Sequence, residues 1–372
     1  MTADTGAAGS SDEASTDSAF EFMSDWRSFA PIAFSNLLLS IVTLGIYLFW
    51  ARARERRFLW ANTRFIDERL EWTGTGLELF IGYVIAFFLL AVPLGAAQFG
   101  IQALSLQGYP GIAALLLLFI YVAVTYLAGV AIFRALRYRL SRTFWHGIRG
   151  GSNDQGLAFG IEYLWRTFLG SLALGLLIPW SMISLWNARW NEMSFGPMEF
   201  ESNARYEPIF GRYLLFYLAP LLLVIVGVVV AVAAAAFGGS LPRPGSPGNL
   251  QALFIAIVVI GYLIFFVLLG VIALVYYAAY FREAVGNLRL GDLEFAFTAR
   301  TRDWIGLMLG NFALVVVTLG IGYIFIGYRN WTFFVRHAQA YGEVRLDELT
   351  QSTTREPGQG EGILDAFDIG AF

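Results

Sequence analysis

Asn36 and Thr43 stand seven residues apart, and Asn311 and Thr318 repeat that spacing near the other end of the chain. Each Thr opens the same tetrapeptide, Thr43-Leu44-Gly45-Ile46 and Thr318-Leu319-Gly320-Ile321. An arginine follows each Asn after 18 positions, at Arg54 and Arg329, and Ser171 with Arg189 gives a third copy at the same offset. In that middle copy Ser171 replaces Asn, and Ile178-Pro179-Trp180 replaces the Thr-Leu-Gly run. Neutral hydrogen-bonding side chains at such depth in apolar sequence can line a path for a small or uncharged solute. They can equally satisfy backbone freed at Gly45, Pro179 and Gly320. The candidate polar path is Asn36, Thr43, Ser171, Asn311 and Thr318. Such a path would make the chain transporter-like or channel-like.

A second chemistry belongs to arginine. Arg52, Arg54, Arg56 and Arg57, then Arg134, Arg137, Arg139 and Arg142, sit at the ends of apolar runs beside Trp50, Trp60, Phe144 and Trp145. Such clusters suit anionic phospholipid headgroups, where each basic side chain near the surface contributes roughly 1 kcal/mol. The alternative function class is therefore a non-transporting scaffold or anionic-lipid-binding protein. The same residues also serve as topology signals. All 25 basic residues are arginine and there is no cysteine, which excludes thiol nucleophiles, disulfides, Cys-based metal sites and lysine Schiff bases. The two histidines, His146 and His337, lie in basic loops without metal-ligand spacing. No enzyme, metal, cofactor or nucleic-acid partner is expected. The spans carry no Asp, Glu, Arg or His well inside their apolar runs, so coupling through a buried carboxylate has no candidate there. The bilayer itself is the expected partner, and the oligomeric state is not legible.

The elements that position these residues are membrane elements. Of 372 residues 57% are hydrophobic and only 14% charged, against about 25% in soluble domains, and the mean hydropathy is +0.61. Seven apolar elements stand out at Ile32–Trp50, Leu79–Leu104, Ile112–Leu136, Thr167–Trp186, Tyr213–Phe237, Leu250–Tyr280 and Ile305–Tyr328. The second, third, fifth and sixth are long enough to span, and form two helical hairpins through Gly/Pro-rich turns at 105–111 and 238–249. The first, fourth and seventh are the repeated polar-start elements, kinked or re-entrant. The expected fold class is thus an all-α integral membrane protein with internal repeats at about 20–165, 166–300 and, in part, 301–348. Residues 1–19 read as a disordered acidic tail and 349–372 as a flexible one, with no secretory signal at the start.

Between the elements, Phe20-Glu21-Phe22, Leu70-Glu71-Trp72, Met198-Glu199-Phe200 and Leu293-Glu294-Phe295 alternate in the period of a half-buried strand. Small β-hairpins are expected there. Arginine is dense in every long loop, absent from 105–111 and single in 238–249. This places the two turns outside and the loops in the cytoplasm. Seven simple crossings break that bias, whereas a fourth element that dips and returns keeps it. The rival arrangement is a pair of inverted three-helix units, as in many transporters.

"NLLLSIVTLGIYLFW", "RARERRFLWANTRF", "LEWTGTGLELFIGY", "SRTFWHGIRGG" and "NFALVVVTLGIGY" together resemble the YjgN-type family of bacterial inner-membrane proteins of unknown function. The resemblance runs from residue 20 to about 348. The middle copy departs most, at Ser171 and in "LWNARWNEMSFGPMEFES". It implies a multi-pass protein of the bacterial inner membrane, and carries no catalytic residue with it.

Overall fold

The computed structural model describes residues 19–236, 248–342, 344 and 350–358. Residues 1–18 of the proposed tail 1–19, most of the turn 238–249 and the chain beyond 358 lie outside the described residues.

The chain alternates short and long helical hairpins. α1 (Trp26–Val42) and α2 (Leu48–Ala61) make the first short one. α3 (Gly76–Ala86) continues through a π turn (Phe87–Ala91) into α4 (Val92–Leu106) and pairs with α5 (Pro110–Arg142). α6 (Leu157–Ser171) and α7 (Ile178–Trp190) form the middle short hairpin. α8 (Glu207–Tyr213), a 3-10 turn (Leu214–Leu218) and α9 (Ala219–Ala236) pair with α10 (Gly248–Gly286). α11 (Thr301–Val317) and α12 (Ile326–His337) close the series. Four helices are long and apolar enough to cross a bilayer: Gly76–Leu106, Pro110–Arg142, Glu207–Val232 and Ile255–Gly286. α1 is apolar but only 17 residues long, about 25 Å as helix, short of ~30 Å of hydrocarbon.

The expectation of an all-α fold is overturned. Eleven strands lie among the described residues: β1 (Phe20–Phe22), β2 (Thr63–Phe65), β3 (Glu68–Arg69), β4 (Glu71–Trp72), β5 (Thr143–Trp145), β6 (Ile148–Gly151), β7 (Ser194–Phe195), β8 (Met198–Ser202), β9 (Leu288–Leu290), β10 (Leu293–Phe297) and β11 (Ala338–Tyr341). β4 to β11 form one eight-stranded antiparallel sheet in sequence order, and β1 to β3 a three-stranded one beside it. Only Leu70 separates β3 from β4, and the far edge curls round until Phe20 of β1 lies 6.4 Å from Phe295 of β10, ring centre to ring centre. Phe65, Phe133, Trp145, Phe195, Phe200 and Leu290 fill the core that this curled sheet shares with the helix feet. Two-residue turns link β2–β3, β5–β6, β7–β8 and β9–β10. Each begins at a positive φ, on Ile66 (59°), His146 (51°), Gly196 (56°) and Gly291 (57°), as tight antiparallel hairpins require.

The pairing decides what the short hairpins do. Phe20 of β1 pairs with Phe65 of β2, so the strands before and after α1–α2 are neighbours. Gly150 pairs with Phe195 around α6–α7, and Phe295 with Ala340 around α11–α12. The long hairpins are bracketed in the same way, by Glu71 with Phe144 and by Phe200 with Leu290. A helix pair that leaves one sheet and returns to it makes an even number of crossings, none or two. At the short hairpins' tips Leu44, Leu174 and Leu319 are more than nine-tenths exposed, as apolar residues immersed in hydrocarbon would be.

Candidate functional site

In the first and last short hairpins the chain reverses at Leu44-Gly45 (φ 52° and 90°) and Leu319-Gly320 (φ 51° and 95°). The threonines do local work there. Thr43 Oγ1 donates to the Leu39 carbonyl at 2.7 Å and accepts from the Tyr47 amide at 3.0 Å. Thr318 Oγ1 donates to the Leu314 carbonyl and accepts from the Gly322 amide, both at 2.6 Å. Asn36 Nδ2 donates to the Ala51 carbonyl at 3.2 Å, holding the two arms together. Asn311 accepts from Arg329 Nε at 2.6 Å and donates to Asn330 Oδ1 at 3.0 Å, so here the Asn meets the arginine 18 positions on. Ser171 Oγ donates to the Thr167 carbonyl at 2.9 Å.

The middle copy is shifted. Its reversal falls at Leu174-Gly175 (φ 60° and 86°), five residues before the point that pairs Ser171 with Asn36. Pro179 sits in the first turn of α7, where a missing N–H costs nothing. In the register that matches the reversals, Arg166 occupies the position of Asn36, and its guanidinium donates to the Ser184 carbonyl, again 18 residues on. The five proposed path residues thus lie in three separate hairpins. Of them Asn36 lines a cleft, together with Ala33, Ser40, Leu48, Tyr323 and Ile324.

That cleft, about 410 Å³, opens between the first and last short hairpins. Arg52, Glu55, Gly327 and Asn330 form its inner wall, and the same four residues line a smaller neck of about 140 Å³. The neck adds Arg56, Leu59 and Arg139, and shares Trp60, Arg139, Trp331 and Phe334 with a third space. This third space is an apolar chamber of about 320 Å³ above the sheet. All five hairpins contribute to it through Trp60, Leu136, Trp186, Phe281 and Trp331, and the sheet contributes Phe20 and Phe295. Trp60 and Trp331 stack at 4.1 Å where neck and chamber meet. Their indole nitrogens donate to Thr143 Oγ1 at 2.9 Å and Thr63 Oγ1 at 2.8 Å, which fixes both rings. Cleft, neck and chamber therefore follow one another, from the short hairpins toward the sheet.

The arginine clusters divide accordingly. Arg52, Arg56 and Arg139 line the neck, Arg56 with its guanidinium 5.1 Å from the Trp72 ring centre. Arg54 donates to Ser35 Oγ at 3.0 Å, and Arg57 is exposed. Arg134 donates to the Gln155 carbonyl at 3.0 Å, and Arg142 binds Glu78 at 2.9 Å. Arg137 is 1% exposed and donates to the Arg355 carbonyl at 3.1 Å. Residues 350–358 lie along β6, where Arg149 donates to the Thr354 carbonyl and Gln351 Nε2 to the Gly147 carbonyl at 2.8 Å.

Glu55 is the residue that sequence reasoning missed. It belongs to "ARARERR", a stretch read in the sequence for its arginines alone, yet its carboxylate faces both cleft and neck. Burial pushes its carboxyl above the usual range, while Arg52 and Arg56 pull it back. The readable signal was its place as the only acid between arginines at i−3 and i+1.

The chain matches the family model of bacterial proteins of unknown function (DUF898) over residues 17–366. It belongs to that family. Among curated relatives, inner membrane protein YjgN of Salmonella typhimurium is 27% identical over 120 residues, 32% of this chain and 27% of its own length. Its namesake in Escherichia coli is 30% identical over 135 residues, 36% of this chain and 31% of that protein. The aligned stretches thus span less than a third of these relatives. No solved structure matches the fold. With the four membrane-capable helices, the relatives place this family member in the inner membrane.

Proposed function

We propose that this inner-membrane protein binds an anionic amphiphile of lipid class, its apolar part in the chamber and its headgroup at Arg52, Arg56 and Arg139. The observation that carries the reading is the continuity of cleft, neck and chamber. A cleft between the first and last short hairpins leads past three guanidinium groups into a space walled almost wholly by aromatic and aliphatic side chains. A free inorganic anion has no use for that chamber, and an uncharged hydrophobe has none for the arginines. The transporter-like reading keeps one observation in its favour, Asn36 and Ser40 on the cleft wall.

Lipid carried through purification in mild detergent tests it. Wild-type protein should retain phosphatidylglycerol over phosphatidylethanolamine in native mass spectra. Arg52→Gln with Arg139→Gln should cut that preference about tenfold, the scale on which charge-assisted hydrogen bonds act. Equal retention by the double variant would count against the reading.

A further inference from the structure

The neck contains its own anion. Glu55 sits on α2 one helical turn from Arg52 and next to Arg56, with Arg139 of α5 lining the same space. Facing it, α12 presents Gly327 and Asn330, and α1 presents Asn36 and Ser40 across the cleft; none of these titrates. No histidine, aspartate or second glutamate lines cleft, neck or chamber among the described residues. Gly327 makes room for the carboxylate, since a methyl group there would collide with Glu55 Oε1. Asn330 is the counterpart of Glu55 in the last hairpin, 275 positions on, just as Arg329 is the counterpart of Arg54. A neutral amide thus stands in one copy of the repeat where the other carries a carboxylate, and both line the same wall.

Resting on the lipid-binding reading, we infer that Glu55 is an internal counter-ion which an incoming anionic headgroup must displace from the neck arginines. The carboxylate then acts as a specificity and pH-sensing residue. Ionised, it repels a phosphate or carboxylate headgroup and occupies part of its place. Protonated, it leaves the arginines to the ligand and can itself donate a hydrogen bond to a headgroup oxygen. No bond is made or broken; the only exchange is one proton with water. Burial lifts this carboxyl above the ordinary range, against the pull of Arg52 and Arg56. The linkage is reciprocal: protonation strengthens anion binding, and a bound anion raises the carboxyl further.

The test titrates purified protein with short-chain phosphatidylglycerol and, in parallel, short-chain phosphatidylcholine, between about pH 5 and pH 8, where an unperturbed carboxyl has little left to titrate. Phosphatidylglycerol affinity of the wild type should rise as pH falls, by at least about fivefold across the range, with phosphatidylcholine flat. Glu55→Gln, nearly isosteric, should hold the tighter acid-limit affinity at every pH. A pH-dependent wild type whose profile survives unchanged in Glu55→Gln would overturn the inference and leave the lipid-binding reading standing. Absence of any preference for phosphatidylglycerol in either protein would overturn both. Should the variant not accumulate, the wild-type profile decides alone: an affinity indifferent to pH sinks the inference.

Discussion

At the scale of single residues, the polar side chains of the short hairpins bind their own backbone or the facing arm of their own hairpin. Asn311 shows this most fully, because both ends of its amide are engaged, by Arg329 and by Asn330. Asn311→Ala should leave the half-buried Arg329 guanidinium without this acceptor and cost about 1–3 kcal/mol, as unsatisfied buried groups do. A lowered midpoint in a thermal scan of detergent-solubilised protein would report it. Asn311→Asp should hold the wild-type value or exceed it, by adding charge opposite the guanidinium. If the alanine variant melts like the wild type, the pair is not what holds α11 to α12.

At the scale of elements, the four long spans were readable because twenty-odd apolar residues admit one solution in a bilayer. Phe20-Glu21-Phe22 and Met198-Glu199-Phe200 were readable as strands by their alternation. The short strand Ser194–Phe195 was not: it is two residues long, below any period, and its pairing with β6 depends on the return of the α6–α7 hairpin. The offset of the middle copy was misread for a related reason, since Pro179 resembles the break and in fact begins the next helix. Because the strands bracket every hairpin, single cysteines at Ser24, Thr75, Ser202 and Thr301 should resist a membrane-impermeant thiol reagent in intact cells. A cysteine at Gln107, between α4 and α5, should react. Labelling at Ser24 or Thr301 would mean that α1 or α11 crosses after all.

At the scale of the whole molecule, the ring of strands is where distant sequence meets. Tyr328 donates to the Ser24 carbonyl at 3.2 Å across 304 positions, and residues 350–358 reach back to β6. Ser352 and Thr354 are buried there, and Gly151 is bare enough to admit the Thr354 hydroxyl. Ending the chain after Leu349 should remove the Thr354 carbonyl from Arg149 and the Arg355 carbonyl from Arg137, and destabilise the protein by about 1–3 kcal/mol. Denaturant unfolding followed by tryptophan fluorescence would measure it; an unchanged midpoint would mean that the segment is dispensable. None of these contacts was legible beforehand. Nor was the chamber, because its walls come from five hairpins whose aromatic residues each look like ordinary core.

The bracketing of every helical hairpin by neighbouring strands has a consequence for ancestry. A strand–hairpin–strand module makes either no crossing or two, so its parity is even. Gain or loss of one module leaves everything downstream on its original side of the membrane. Lineages built from odd units must invert each new copy, with its charges rewritten, before duplication yields a working protein. Here a duplicated module can keep its arginines, its glycine turn and its orientation from the moment it arises, and need only find a place in the strand ring.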